Sequence, residues 1–165
     1  MGFKKDLEYR SNPIIEVGGS SSQPDAAFCP DTWNYTVVFE VADSRFFASA
    51  RVKGALWCQL PSIKAIILVE TDDEKQVITM TKVVPAFRNV GSASRYPREV
   101  GRVVVRPKPN TAGYELDPDR SQAITLACGD MTNEAPPAGK RDFVFDGEFF
   151  CRWAARVWVA LVDCA

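Results

Sequence analysis

Residues 23–44 read QPDAAFCPDTWNYTVVFEVADS. The run TVVFEV is β-branched and aromatic, the composition that fits a pleated, half-buried surface. Glu40 interrupts it. A strand of this kind has no structural need for a carboxylate, and burying one unpaired is costly. Glu40 therefore either faces water or has a task. Asp25 raises the same question, since it opens the short run AAFC directly after Pro24. Fifteen residues separate Asp25 from Glu40, enough for one β-hairpin with a long loop.

Working outward, residues 14–18 (IIEVG) predict a first strand, with Gly18, Gly19 and Ser20 to Ser22 as the turn that follows. After residues 36–41, Asp43 or Ser44 can cap a helix over residues 45–58, RFFASARVKGALWC. That helix would place Phe46, Ala50 and Trp57 on one face, with Phe47, Gly54 and Cys58 alongside and Lys53 at the edge. Pro61 ends it. Residues 63–69 (IKAIILV) are nearly continuous apolar residues, the signature of a strand covered on both faces after a helical crossover. Residues 71–74 turn the chain, and residues 76–84 (QVITMTKVV) alternate as an antiparallel partner should.

The first half is thus strand, strand, strand, helix, strand, strand. This order predicts an α/β fold with a mixed central β-sheet, a crossover helix and a C-terminal helix. Residues 85–145 read as loop-rich, with GRVVVRP (101–107) and residues 124–127 as short strands and NEAPPAGK (133–140) as a loop. Asp146 can cap a closing helix over residues 147–163, whose Phe149, Phe150, Trp153, Val157, Trp158 and Leu161 form an apolar stripe. With 165 residues and no long linker, one domain is expected over residues 1–165.

Twenty basic and 21 acidic residues leave a net charge of −1, so no global field would draw the chain to nucleic acid or to an anionic membrane. Recognition of either would need a local patch. Cys29, Cys58, Cys128, Cys151 and Cys164 are odd in number, widely spaced and without a CxxC pair, which predicts reduced thiols in an intracellular setting, cytoplasmic or nuclear. The absence of histidine removes Ser-His-Asp and Cys-His catalysis and, with the cysteine spacing, argues against zinc. The segment MGFKKDLEYR has no apolar core of a secretory signal, and no apolar run reaches membrane-spanning length.

Asp25, Glu40 and Lys53 are the residues that suit chemistry. Two carboxylates on neighbouring strands can hold a hard divalent cation such as Mg²⁺ and leave positions for water and a phosphate oxygen. A nearby lysine can balance developing negative charge or hold the attacking water.

With these residues in place, the segment PDAAFCP, TVVFEVADS, RVKGALW, IKAIILVE resembles the restriction-endonuclease-like PD-(D/E)xK superfamily, and within it the Uma-type branch and its fungal relatives. The elements that carry the resemblance are Pro24-Asp25, Glu40-Val41 with Ser44, Lys53 four residues before Trp57, and IKAIILV. They fall within residues 14–84, about half of the chain. The resemblance implies a Mg²⁺- or Mn²⁺-dependent DNA endonuclease fold, with Asp25, Glu40 and Val41 (through its carbonyl) as metal ligands and Asp25, Glu40 and Lys53 as the catalytic set. The superfamily's usual lysine lies two residues after the glutamate, where this chain has Ala42; in the Uma-type branch the helix supplies the lysine, and Lys53 matches that alternative.

Each residue also has a plainer reading. Asp25 after proline suits a turn, Glu40 suits an edge strand facing solvent, and Lys53 suits a helix flank with its ammonium in water. Glu16 is an acid at a solvent-facing strand position. Arg88, Arg95, Arg98, Arg102 and Arg106 could contact a phosphate backbone, although a solvated loop is the simpler expectation. The rival to a nuclease is a non-catalytic domain of the same fold that binds itself or a protein partner through the C-terminal helix.

Overall fold

The structure, a computed structural model, describes residues 8–30, 34–87, 94–132 and 142–162. The strands are β1 (Glu8–Ser11), β2 (Ile15–Val17), β3 (Ser20–Ser22), β4 (Ala26–Cys29) and β5 (Val37–Asp43), followed by a 3₁₀ turn (Ser44–Phe46) and helix α1 (Phe47–Trp57). Then come β6 (Ala65–Asp72), β7 (Val77–Phe87), β8 (Arg95–Pro107), β9 (Tyr114–Leu116), β10 (Ile124–Leu126), α2 (Cys128–Thr132), β11 (Phe143–Phe145) and α3 (Gly147–Val162).

Seven strands form the central sheet in the order β1-β4-β5-β6-β7-β8-β9. All neighbours are antiparallel except β5 and β6, which run parallel because α1 carries the chain back across the sheet between them. The protein is therefore α/β with a large mixed central sheet and few helices. The first five residues of β6 are all buried, as a strand covered on both faces requires.

The two faces have separate cores. On one, α1 packs Phe47, Ala50, Gly54 and Trp57 over Val38, Ile66, Leu68 and Val83. On the other, Phe150, Ala154 and Trp158 of α3, one helical turn apart, cover Val69, Ile78, Met80 and Val103 together with the small β10-β11 sheet. The Thr36 hydroxyl ties β5 to α2 by donating to the Met131 carbonyl at 3.1 Å. At the start of α3, the Asp146 carboxylate accepts from Phe149 N at 2.8 Å, the expected cap.

Several details depart from the sequence reading. The turn after β2 is only Gly18-Gly19, both at positive φ, and Ser20–Ser22 pairs back as β3. Asp43 caps the 3₁₀ turn through Arg45 N, while α1 itself has no side-chain cap. Phe46 is 65% exposed, not part of the buried face. It belongs to the tighter 3₁₀ turn, whose three residues per turn shift the phase of the helix that follows. On α3, Phe149 is also exposed; the side chains of Val157 and Leu161 lie outside what is described.

The largest departure is the segment read as loop-rich. Strand β8 is 13 residues long and forms with β7 a hairpin arm that extends beyond the rest of the sheet. Prolines 85 and 97 face each other in this ladder. Neither has an N–H, so they occupy a non-hydrogen-bonded pair, where no donor toward the partner strand is required. The loop expected at residues 133–140 lies outside the described residues.

Candidate active site

Asp25 sits immediately before β4, and Glu40 lies on β5, where the antiparallel register Ala26↔Phe39 places the two residues next to one another. Thr36 N donates to the Phe28 carbonyl of β4, while the Thr36 carbonyl accepts from both Lys64 N and Ala65 N and so faces β6. Alternation gives Glu40 the same direction and turns Val41 toward the opposite edge, where Asp25 lies. Val41 N donates to Asp25 Oδ2 at 2.6 Å, and the Val41 carbonyl shares that direction.

The Glu40 side chain points to the α1 face, in one cross-strand row with Leu68, Thr81 and Arg102. It is 1% exposed. Its neighbours come from one turn of α1: Trp57 Nε1 donates to Oε1 at 2.7 Å, and Lys53 Nζ lies 3.2 Å from Oε2. The four-residue spacing of Lys53 and Trp57 puts both on the same side of the helix. Lys53 Nζ also reaches the Gln23 carbonyl at 3.4 Å, which ties the helix to the segment carrying Asp25.

The three sequence-derived residues thus meet at one place, at the ends of a hairpin and under a crossover helix. Burial pushes the Glu40 carboxyl above its ordinary value, against the hydrogen bonds of Trp57 and Lys53, which favour the charged form, and Asp25 adds a smaller upward push. Asp25 and Val41 are both exposed, so the site opens to solvent on their side.

Asp25, Glu40 and the Val41 carbonyl are the oxygen groups that could hold a hard divalent cation such as Mg²⁺, which takes one or two carboxylates while keeping several waters. Both Glu40 oxygens are engaged by Trp57 and Lys53. Among the described residues no cluster of three or more His, Cys, Asp or Glu side chains is assembled, so a cation here would have a small protein ligand set.

Trp57 is a participant to which the sequence reading gave no bond in the site, although it placed the residue on the apolar helix face and as the aromatic one turn after Lys53. Glu16 is exposed in the separate β2-β3 hairpin. The arginines do not form a loop patch. Arg95 donates to the Leu60 and Ile63 carbonyls at 2.7 and 2.8 Å, Arg102 pairs with Glu99, and Arg106 pairs with Glu115 and Asp117, all from β8. Arg98 is exposed on the same strand, and Arg88 lies outside the described residues. Among the described residues no helix is long and apolar enough to cross a membrane. No family model, curated protein or solved structure matches the chain.

Proposed function

We propose that the chain is a metal-dependent phosphodiesterase of restriction-endonuclease-like type that hydrolyses DNA. One observation carries this reading: Asp25, Glu40 and Lys53, far apart in sequence, converge on a hairpin, crossover helix and parallel strand in the order that the resemblance implies. Asp25, Glu40 and the Val41 carbonyl would hold Mg²⁺ or Mn²⁺. An ion held there would lower the pKa of a water and polarise the scissile phosphate. Lys53, which lies between Glu40 and the Gln23 carbonyl, would hold the attacking water and balance charge on the pentacovalent phosphorus. Trp57 fixes the Glu40 rotamer by its indole bond, so the carboxylate need not reorganise during the reaction.

The test is calorimetric titration of Mg²⁺ and Mn²⁺ into the wild type and Glu40→Gln, with plasmid nicking measured on the same samples. Binding and nicking that both disappear in the variant support the reading. Absence of binding in the wild type overturns it. Lys53→Ala should abolish nicking while leaving metal binding largely intact.

A second reading rests on a different observation. Both Glu40 oxygens already have partners, which is how a non-catalytic domain would satisfy a buried carboxylate. In that case the fold serves protein association, and DNA retention on a column should be absent at low salt; a nuclease groove should show retention that falls steeply as salt rises.

A further inference from the structure

The row that carries Glu40 continues away from the cluster through Leu68 to Thr81, two strand spacings or about 10 Å along the sheet. There, between α1 and the β7-β8 arm, lies a hollow of about 210 Å³. Leu68, Val83 and Pro97 give it apolar walls, and Thr81, Arg51 and Glu99 give it polar ones.

Thr81 is 3% exposed, and its hydroxyl has no hydrogen-bond partner among the described residues. A buried hydroxyl without a partner is costly, and a strand position on this face would be filled equally well by valine. The Arg51 guanidinium lies over the Phe47 ring at 5.2 Å and has no ion pair among the described residues. Glu99 is paired through Oε2 to Arg102 Nη2 at 2.8 Å, which leaves Oε1 to accept from a ligand. The hollow therefore joins apolar walls to a hydroxyl, a carboxylate and a cation.

We propose that this hollow holds one unstacked nucleobase, on the opposite flank of α1 from Asp25, Glu40 and Lys53. The proposal rests on the phosphodiesterase reading for its setting but not for its chemistry. A base has two apolar faces for Leu68, Val83 and Pro97, and an edge that donates and accepts for Thr81 and Glu99. Arg51 meets the phosphate that accompanies it. The volume suits one ring system, not a stacked pair. A free anion would use Arg51 but would leave the apolar walls and Glu99 without a role.

The experiment is saturation-transfer NMR and calorimetry with the four nucleoside 5′-monophosphates, with ribose 5-phosphate as the same anion lacking a base. Saturation of base protons is expected, with ribose 5-phosphate at least about tenfold weaker. Thr81→Val, an isosteric change, and Glu99→Gln should each weaken nucleotide binding by about three- to tenfold. Equal affinity for ribose 5-phosphate, or binding unmoved by both variants, overturns the proposal. Tighter binding of a short single-stranded oligonucleotide than of the monophosphates assigns the pocket to a nucleic-acid chain, and the reverse order assigns it to a free nucleotide. Failure of cleavage with nucleotide binding intact would count against the phosphodiesterase alone, while cleavage without base saturation would count against the pocket alone.

Discussion

The indole of Trp57 donates to Glu40 at 2.7 Å from the same helical turn that brings Lys53 within 3.2 Å of the other carboxylate oxygen. Removing one donor leaves a buried carboxylate short of a partner. Trp57→Phe should lower unfolding stability by about 2 kcal/mol or more, the upper end if the smaller ring leaves a cavity. Urea denaturation followed by circular dichroism measures this, and an unchanged midpoint would show that the bond contributes nothing.

The same carboxyl gives a pH signature. Its folded value lies above the ordinary 4.5 because burial outweighs its hydrogen bonds. As pH rises past about 4.5, the unfolded chain releases the proton first while the folded protein still holds it, so the contribution to stability falls until Glu40 ionises in the fold. The stability of the wild type relative to Glu40→Gln should therefore decline between about pH 4.5 and the folded value and level off above it. A flat or rising difference over that window would contradict the assignment.

Arg95 closes the segment after α1 by donating to two carbonyls, Leu60 and Ile63, at once. A lysine ammonium is a single point with a different reach and cannot reproduce that fork. Arg95→Lys should cost about 1 to 3 kcal/mol, and Arg95→Ala at least as much. Equal stability of the lysine variant with the wild type would show that one carbonyl contact suffices.

Burial also pushes the Cys58 thiol up to about 11, only partly offset by Arg95. Cys29 and Cys128 are buried as well, and Cys151 is partly exposed. Because the thiolate is the reactive form, brief alkylation of the native protein near neutral pH should spare Cys58, Cys29 and Cys128 and label Cys151 first among the four described cysteines. Peptide mass spectrometry reads the order, and early labelling of Cys58 would be the contrary result.

At the other face, Asp146→Ala removes the side-chain cap of α3 and should cost about 1 kcal/mol. Asp146→Asn or Asp146→Ser should recover most of it. A full loss in the asparagine variant would mean that charge, not the hydrogen bond, sets the effect.

Where one physical signal dominated, the sequence was readable. Residues 37–39 and 65–69 are apolar because they lie in the covered middle of the sheet, and Asp146 caps α3 by purely local chemistry. The convergence of Asp25, Glu40 and Lys53 was legible from their order on a hairpin and a helix. Strand β8 was legible only at residues 101–107; before them Pro97 and the charged residues carry low strand propensity, and pairing with β7 holds the chain extended. Strand β11 is three residues long, too short to leave a periodic pattern. Trp57 was hidden for another reason: an apolar helix face does not reveal that one of its rings also carries a donor for the carboxylate beneath it.

The facing prolines of the β7-β8 arm have a further consequence. Pairing across the ladder without N–H groups turns the backbone of Pro97 outward, to the side that β9 covers only at Val105–Pro107. At Pro97 that margin lacks a donor where an incoming strand would need one, Arg98 and Glu99 follow with charges, and the Arg102 and Val104 carbonyls beyond are already taken by Gln122 N and Asp117 N. A long extended arm is ordinarily an invitation to another chain's strand. Here the residue that made it unreadable as a strand also discourages it from recruiting one, leaving a projection that can border a ligand without seeding aggregation.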